Sequence, residues 1–289
     1  RSKGFFGSIP QAGVTIGMLM ATFIVSLMTL FSEEDFLSWG WRIPFLLSSV
    51  LVILGLWIRK DIDETPDFQK VKKSGQVAKA PLRDTIKHHW REVLIAAGLK
   101  VVETAPFYIF STFVVSYATT TLTYQKSQAL EAVTLGALVA TIMIPLMGLL
   151  SDRVGRQRMY AVSVFVLGLF IVPWFMLLNT GTTWGIVLAT VIAFGVLWAP
   201  VTAVLGTLCS EIFSANVRYT GITLGYQLGA ALAGGTAPLI ATGLLAKYDG
   251  DWVPVAWYLG VTVAISLIAI FCASRINRER HLQAQPEQR

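Results

Sequence analysis

Residues 130–158 read LEAVTLGALVATIMIPLMGLLSDRVGRQR. At about 1.5 Å per residue, the run from Leu130 to Leu150 is long enough, as a helix, to cross a hydrocarbon core about 30 Å thick. It ends in the tight polar turn Ser151-Asp152-Arg153-Val154-Gly155-Arg156-Gln157-Arg158, and Tyr160 opens the next apolar run. A span, a short basic turn and another span are the repeating unit of a polytopic helical membrane protein.

The unit recurs along the chain. Apolar runs extend over Gly4 to Leu30, Arg42 to Ile58, Glu92 to Tyr117, Leu130 to Leu150, Tyr160 to Leu178, Trp184 to Ser210, Thr220 to Ala246 and Pro254 to Ala273, which makes eight spans. With 54% hydrophobic and 14% charged residues, a soluble fold has no means of burying all of them. The class is therefore all-α membrane protein.

The formal charge is +6, but the basic residues line the ends of spans, so they mark topology and not nucleic-acid binding. Arg1 and Lys3 precede the first span. Nine Lys and Arg residues lie between Arg59 and Arg91, Arg153, Arg156 and Arg158 follow the fourth span, Arg218 precedes the seventh, and Arg275, Arg278, Arg280 and Arg289 follow the eighth. All of these fall on one side. The other side carries Arg42, Lys126 and Lys247 beside Glu33, Glu34, Asp35, Asp249 and Asp251. The positive-inside rule then predicts that both ends of the chain face the cytoplasm.

One loop is long. Residues 59–91 are polar, carry Pro66, Gly75 and Pro81, and predict a short surface helix from Pro81 to Trp90. The loop divides the chain into 1–58 with two spans, the linker 59–91, a six-span unit at 92–273, and a tail at 274–289. Two spans against six, with no initiating Met, predict a piece of a longer protein.

Within the spans, Gly13, Gly17 and Ala21 share one helical face, as do Gly221, Gly225 and Gly229, and such small-residue faces let helices approach closely in lipid. Cys209 and Cys272 sit at or inside spans and make no disulfide framework. His88, His89 and His281 lie outside the spans at no metal-ligand spacing. No metal, cofactor or enzymatic activity is expected.

Lys100 and Glu103 are the sharpest local signal. They lie roughly 12 and 17 Å along the third span, which puts Glu103 near mid-membrane. A lone charge there is expensive and faces a bundle interior or an aqueous path. The spacing of three allows the two to pair. Either they fix the helix against a neighbour or they coordinate substrate or proton. Phe107 continues their face and Tyr108 adds a hydroxyl. Tyr226 and Gln227, beside the glycines of the seventh span, and Gln11 in the first are further candidate cavity residues, with interhelical bonding as the plainer alternative.

The turn at 151–158 has another character. Gly155 permits a sharp turn, and Asp152 is suited to accept hydrogen bonds from a helix start or to pair with an arginine. It reads as a latch between helix ends.

This turn resembles the signature loop of the major facilitator superfamily, in the copy between the eighth and ninth of its spans. Three other segments narrow the likeness: Phe-Leu-Ser-Trp-Gly-Trp-Arg-Ile-Pro-Phe-Leu at 36–46, Asp-Glu-Thr-Pro-Asp-Phe at 63–68, and Glu211 to Gly221 followed by Gly225-Tyr226-Gln227. Together they resemble the metabolite:proton symporter family, closest to its shikimate type, over essentially the whole chain. The resemblance implies a partial major facilitator fold, spans five to twelve of twelve, in a bacterial inner membrane. Asp152, Arg153, Gly155 and Arg156 would belong to the cytoplasmic gate, with Glu211 and Arg218 beside it. Lys100, Glu103, Phe107, Tyr108, Tyr226, Gln227 and Gln11 would line the substrate and proton pathway. The implied function is monomeric, proton-coupled uptake of a small organic acid such as shikimate or a dicarboxylate. A zwitterion such as proline or betaine, or a uniporter or exporter of the same fold, is the alternative.

Overall fold

The structure is a computed structural model that describes residues 2–28, 31–63, 65–75, 81–213 and 218–284. Eight helices in it are long and apolar enough to cross a membrane. They are α1 (Lys3–Met28), α2 (Arg42–Lys60), α3 (Trp90–Thr121), α4 (Lys126–Val154), α5 (Arg156–Leu178), α6 (Thr183–Ile212), α7 (Arg218–Lys247) and α8 (Val253–Ala284). They coincide with the eight runs read from the sequence. The eighth is longer than its run, because the residues after Ala273 continue the same helix to Ala284.

The linker contains two short helices. Pro66–Lys73 starts with Thr65, whose hydroxyl accepts from the Phe68 amide at 3.3 Å, and with Pro66 at the first helical position, where its missing N–H costs nothing. Pro81–His88 is the helix expected over 81–90. It stops two residues early because His89 leaves the helical region before α3 begins at Trp90.

Helices α3 to α8 enclose an apolar core that includes Leu99, Ile144, Trp174, Phe194 and Trp198. Helix α1 lies across α4 and α6, whereas α2 packs lightly on α1 and on the π-helical turn Phe36–Gly40 and, among the described residues, buries none of its own. An apolar helix so exposed requires lipid or further apolar helices around it. An apolar groove of about 660 Å³ runs between α1 and α2, with Gly17, Ala21, Phe45 and Leu51 among its walls.

The two glycine faces fare differently. Gly225 and Gly229 press α7 onto α3, where a Cβ on Gly225 would stand 2.7 Å from Ala96 Cβ and one on Gly229 would stand 2.7 Å from Ala97 O, while Gly221 lies against the ring of Phe213 at the end of α6. Gly13 and Gly17 are exposed, with no atom within 4 Å of the place a Cβ would take. The close approach of α1 uses the opposite face: Gly4, Ser8, Ala12 and Thr15 are buried. Nine residues from Gly4 to Gly13 is two and a half turns, so the sequence spacing is real but that register points away from α4.

Candidate functional site

Helix α3 carries its charged pair on one turn. Lys100 Nζ stands 2.7 Å from Glu103 Oε2, with the two side chains 15% and 9% exposed. Three neighbouring helices hold that turn. The Ser266 hydroxyl of α8 donates to Gly98 O at 2.7 Å and accepts from Val102 N at 3.1 Å, and so engages both backbone groups of one i→i+4 pair. The Tyr160 hydroxyl of α5 donates to Leu99 O at 2.6 Å, and the Trp198 indole of α6 donates to Glu103 O at 2.7 Å.

The carboxylate of Glu103 is well supplied with donors besides Lys100. Thr202 donates to Oε1 at 3.1 Å and Thr104 stands 3.2 Å from Oε2. These contacts compensate the cost of burying a charge far from water. Lys100 also stacks its ammonium 4.5 Å from the ring centroid of Tyr226, whose hydroxyl is buried beside Cys209.

Over this pair lies a cavity of about 210 Å³. Helix α3 lines it with Lys100, Glu103, Thr104, Phe107 and Tyr108, α6 with Trp198, α7 with Ala230, and α1 with Gln11 and Val14. Its aromatic wall is continuous: Phe107 is 5.2 Å from Trp198 and 5.2 Å from Tyr108, centroid to centroid. Each of the three core helices that form it has a π-helical segment at the lining residues, Ile109–Phe113 after Tyr108, Val191–Leu197 before Trp198 and Ala230–Gly234 from Ala230 onward. A π-turn widens the helix and re-aims the side chains beside it. Pro106 and Pro200 lie near two of these segments, where the helical ladder is already missing an N–H.

At the end of the bundle that carries the basic turn, Asp152 Oδ1 accepts from Gly4 N at 2.8 Å and Oδ2 from Phe5 N at 3.2 Å. It therefore caps the start of α1 from α4, adding a negative charge to the positive end of that helix. Arg156 joins Asp152 at 3.1 Å to Glu211 on α6 at 2.9 Å. Gly155, with φ at +101°, makes the turn between α4 and α5 that brings Arg156 back over Asp152. The helices themselves almost touch here, since a Cβ on Gly148 would lie 2.6 Å from Gly4 O.

The sequence-predicted residues thus fall into two clusters and a remainder. Gln11, Lys100, Glu103, Phe107 and Tyr108 line one cavity, with Tyr226 behind Lys100. Asp152, Gly155, Arg156 and Glu211 come together at the turn between α4 and α5, in the ion-pair network that caps α1. Gln227 is exposed and outside the cavity, one residue and about 100° round the helix from Tyr226. Arg153 is exposed and outside the ion-pair network, and Arg218 donates to Phe213 O at 3.4 Å. Residues 214–217 of the Glu211–Gly221 motif lie outside the described residues. Sequence reasoning missed Thr202, Thr104, Ser266 and Tyr160. Their one signal was a hydroxyl inside an apolar span.

Comparison with known proteins gives this arrangement a family context. Residues 1–234, and separately residues 107–289, match the Major Facilitator Superfamily. The chain is 33% identical to the shikimate transporter of Escherichia coli (strain K12) over 260 residues, 89% of this chain and 59% of that protein. It is 31% identical to the inner membrane metabolite transport protein YhjE of the same strain over 280 residues, 93% of this chain and 62% of that protein. It is also 31% identical to the proline/betaine transporter of Salmonella typhimurium over 278 residues, 93% of this chain and 55% of that protein. The chain therefore spans between 55% and 62% of the length of these curated relatives.

Proposed function

Because the chain belongs to the major facilitator superfamily, we propose that the full-length protein is a proton-coupled symporter that takes up a small organic acid by alternating access. The observation that carries this reading is the buried Lys100–Glu103 pair over the cavity. With Glu103 ionised, the pair leaves the cavity neutral. One proton on Glu103 releases Lys100 as an uncompensated cation in a low-dielectric site, where a substrate carboxylate is strongly attracted. The linkage is reciprocal: a bound carboxylate beside Lys100 makes protonation of Glu103 more favourable. Proton and anion then enter together.

Residues 1–58 supply the last two helices of one bundle, 59–91 the inter-bundle linker, 92–273 the second bundle and 274–289 its tail. The two bundles rock about the cavity, with the substrate held between them. The latch of Asp152, Arg156 and Glu211 closes the basic end, which the distribution of Lys and Arg assigns to the cytoplasm, and it opens in the inward-facing state. Both ends of the chain are cytoplasmic, the membrane is the bacterial inner membrane, and one chain carries the whole pathway.

A zwitterionic substrate is the second reading, favoured by the aromatic wall. The released Lys100 would take its carboxylate while Phe107, Tyr108 and Trp198 offer ring faces to its cationic end. Uptake by proteoliposomes of labelled shikimate, α-ketoglutarate, citrate and glycine betaine, with and without an inward proton gradient, tests both readings. Gradient-driven accumulation of an acid supports the first and of betaine the second. Equilibration without accumulation removes the coupling from the account.

A further inference from the structure

We propose that Thr202 is a positioning residue that passes the protonation state of Glu103 to helix α1 through Gln11. The inference rests on the reading of Glu103 as the proton-binding group. Thr202 Oγ1 stands 3.1 Å from Glu103 Oε1 and 3.3 Å from Gln11 Oε1, and its side chain is buried. Both facing atoms are acceptors, and a hydroxyl has one proton to give. It cannot serve both fully at once.

Which one it serves is decided by charge. With Glu103 ionised, the Thr202 proton goes to the carboxylate, since a bond to an anion is roughly twice as strong as one between neutral groups. Gln11 Oε1 then faces the oxygen of Thr202, and the amide must turn its NH2 inward or withdraw. With Glu103 protonated, its acid O–H donates to Thr202 Oγ1 and the Thr202 proton is free to satisfy Gln11 Oε1. No covalent bond to carbon changes, and the only group taken up is the proton on Glu103. The hydrogen-bond sense of the chain Glu103–Thr202–Gln11 reverses end to end.

The geometry matters because Gln11 lies on α1, and α1 belongs to the bundle assigned to residues 1–58. This chain of three side chains joins that bundle to the carboxylate directly. Among the described residues, the titratable side chains in the neighbourhood are Lys100 and Tyr108 on the same helix, Tyr160 on α5, Cys209 on α6 and Tyr226 on α7. From α1 the group facing Glu103 is the uncharged Gln11. Among the described residues the Thr202 hydroxyl is the bridge between Glu103 and α1.

The test needs no identified substrate. Amide hydrogen exchange of α1 is measured on the full-length protein in lipid nanodiscs at mildly acidic and mildly alkaline pH, after correction for intrinsic exchange rates. Wild type is expected to protect α1 differently at the two pH values. Thr202→Val should lose that difference, Thr202→Ser should restore it, and Gln11→Leu should lose it without altering α3 or α6. Glu103→Gln should hold α1 in the acidic pattern at both. A wild-type difference that survives Thr202→Val but not Glu103→Gln overturns the role of Thr202 and leaves Glu103 standing. A difference that survives Glu103→Gln overturns the proton site itself, and no difference in wild type overturns both.

Discussion

The ammonium of Lys100 and the carboxylate of Glu103 meet at 2.7 Å on one turn of α3, largely buried and opening onto a cavity of about 210 Å³. The pair is an electrostatic unit: removing either member leaves the other charge buried without its partner.

That unit predicts a non-additive cycle. Lys100→Gln should destabilise the protein by roughly 3–5 kcal/mol, the range for breaking a buried pair, unless Glu103 takes up a proton. Lys100→Gln combined with Glu103→Gln should cost clearly less than the sum of the two. Thermal unfolding of the four proteins in one detergent measures the coupling. Additive losses would mean that the two side chains do not interact in the folded protein.

The latch makes its own prediction. Asp152→Ala removes the acceptor of the Gly4 and Phe5 amides and should cost about 1–2 kcal/mol at the start of α1. Asp152→Asn keeps an oxygen acceptor but not the charge that binds Arg156, so it should fall between. Hydrogen exchange at residues 4–8 reports the order. Equal exchange in all three proteins would remove Asp152 from the capping role.

Two glycines separate the latch from the site. A Cβ on Gly148 runs into Gly4 O, which is backbone and cannot step aside, so Gly148→Ala should push α1 from α4 and cost about 1–3 kcal/mol. A Cβ on Gly229 would stand 2.8 Å from Lys100 Cβ. Gly229→Ala should therefore displace Lys100 and raise KM for transport, whereas Gly148→Ala should act mainly on stability. Uptake kinetics beside unfolding curves distinguish them, and a raised KM in Gly148→Ala alone would reverse the assignment.

Ser266 predicts a local change. With Ser266→Ala, Gly98 O and Val102 N lose the hydroxyl they share. Lys100 and Glu103 sit on that turn, so transport should fall while overall unfolding changes by about 1 kcal/mol. Faster exchange of the Val102 amide is the expected signature, and unchanged exchange with full activity would show the contact to be incidental.

What was legible in the sequence was local or periodic. The eight spans follow from the length of their apolar runs, and the Lys100–Glu103 pair from a spacing of three on one helix. The Asp152–Arg156 pair and the turn at Gly155 follow from a motif whose members are four residues apart or fewer. Thr202 and Ser266 were not legible. A hydroxyl in an apolar helix commonly bonds to its own preceding turn, as Thr134 and Thr236 do here with Leu130 and Leu232. Nothing in the chain marks the hydroxyl that reaches another helix instead. The glycine spacing of α1 was equally ambiguous, because small residues four apart occur on two opposite faces and packing chose Gly4 and Ser8 over Gly13 and Gly17.

The most direct measurement of the central claim is substrate-coupled proton flux in proteoliposomes of the full-length protein, read with a pH-sensitive dye, for wild type and Glu103→Gln. The account predicts that adding the transported acid drives proton entry in wild type, and that Glu103→Gln still exchanges labelled for unlabelled substrate but moves no protons with it. Normal coupled proton entry in Glu103→Gln would contradict the account.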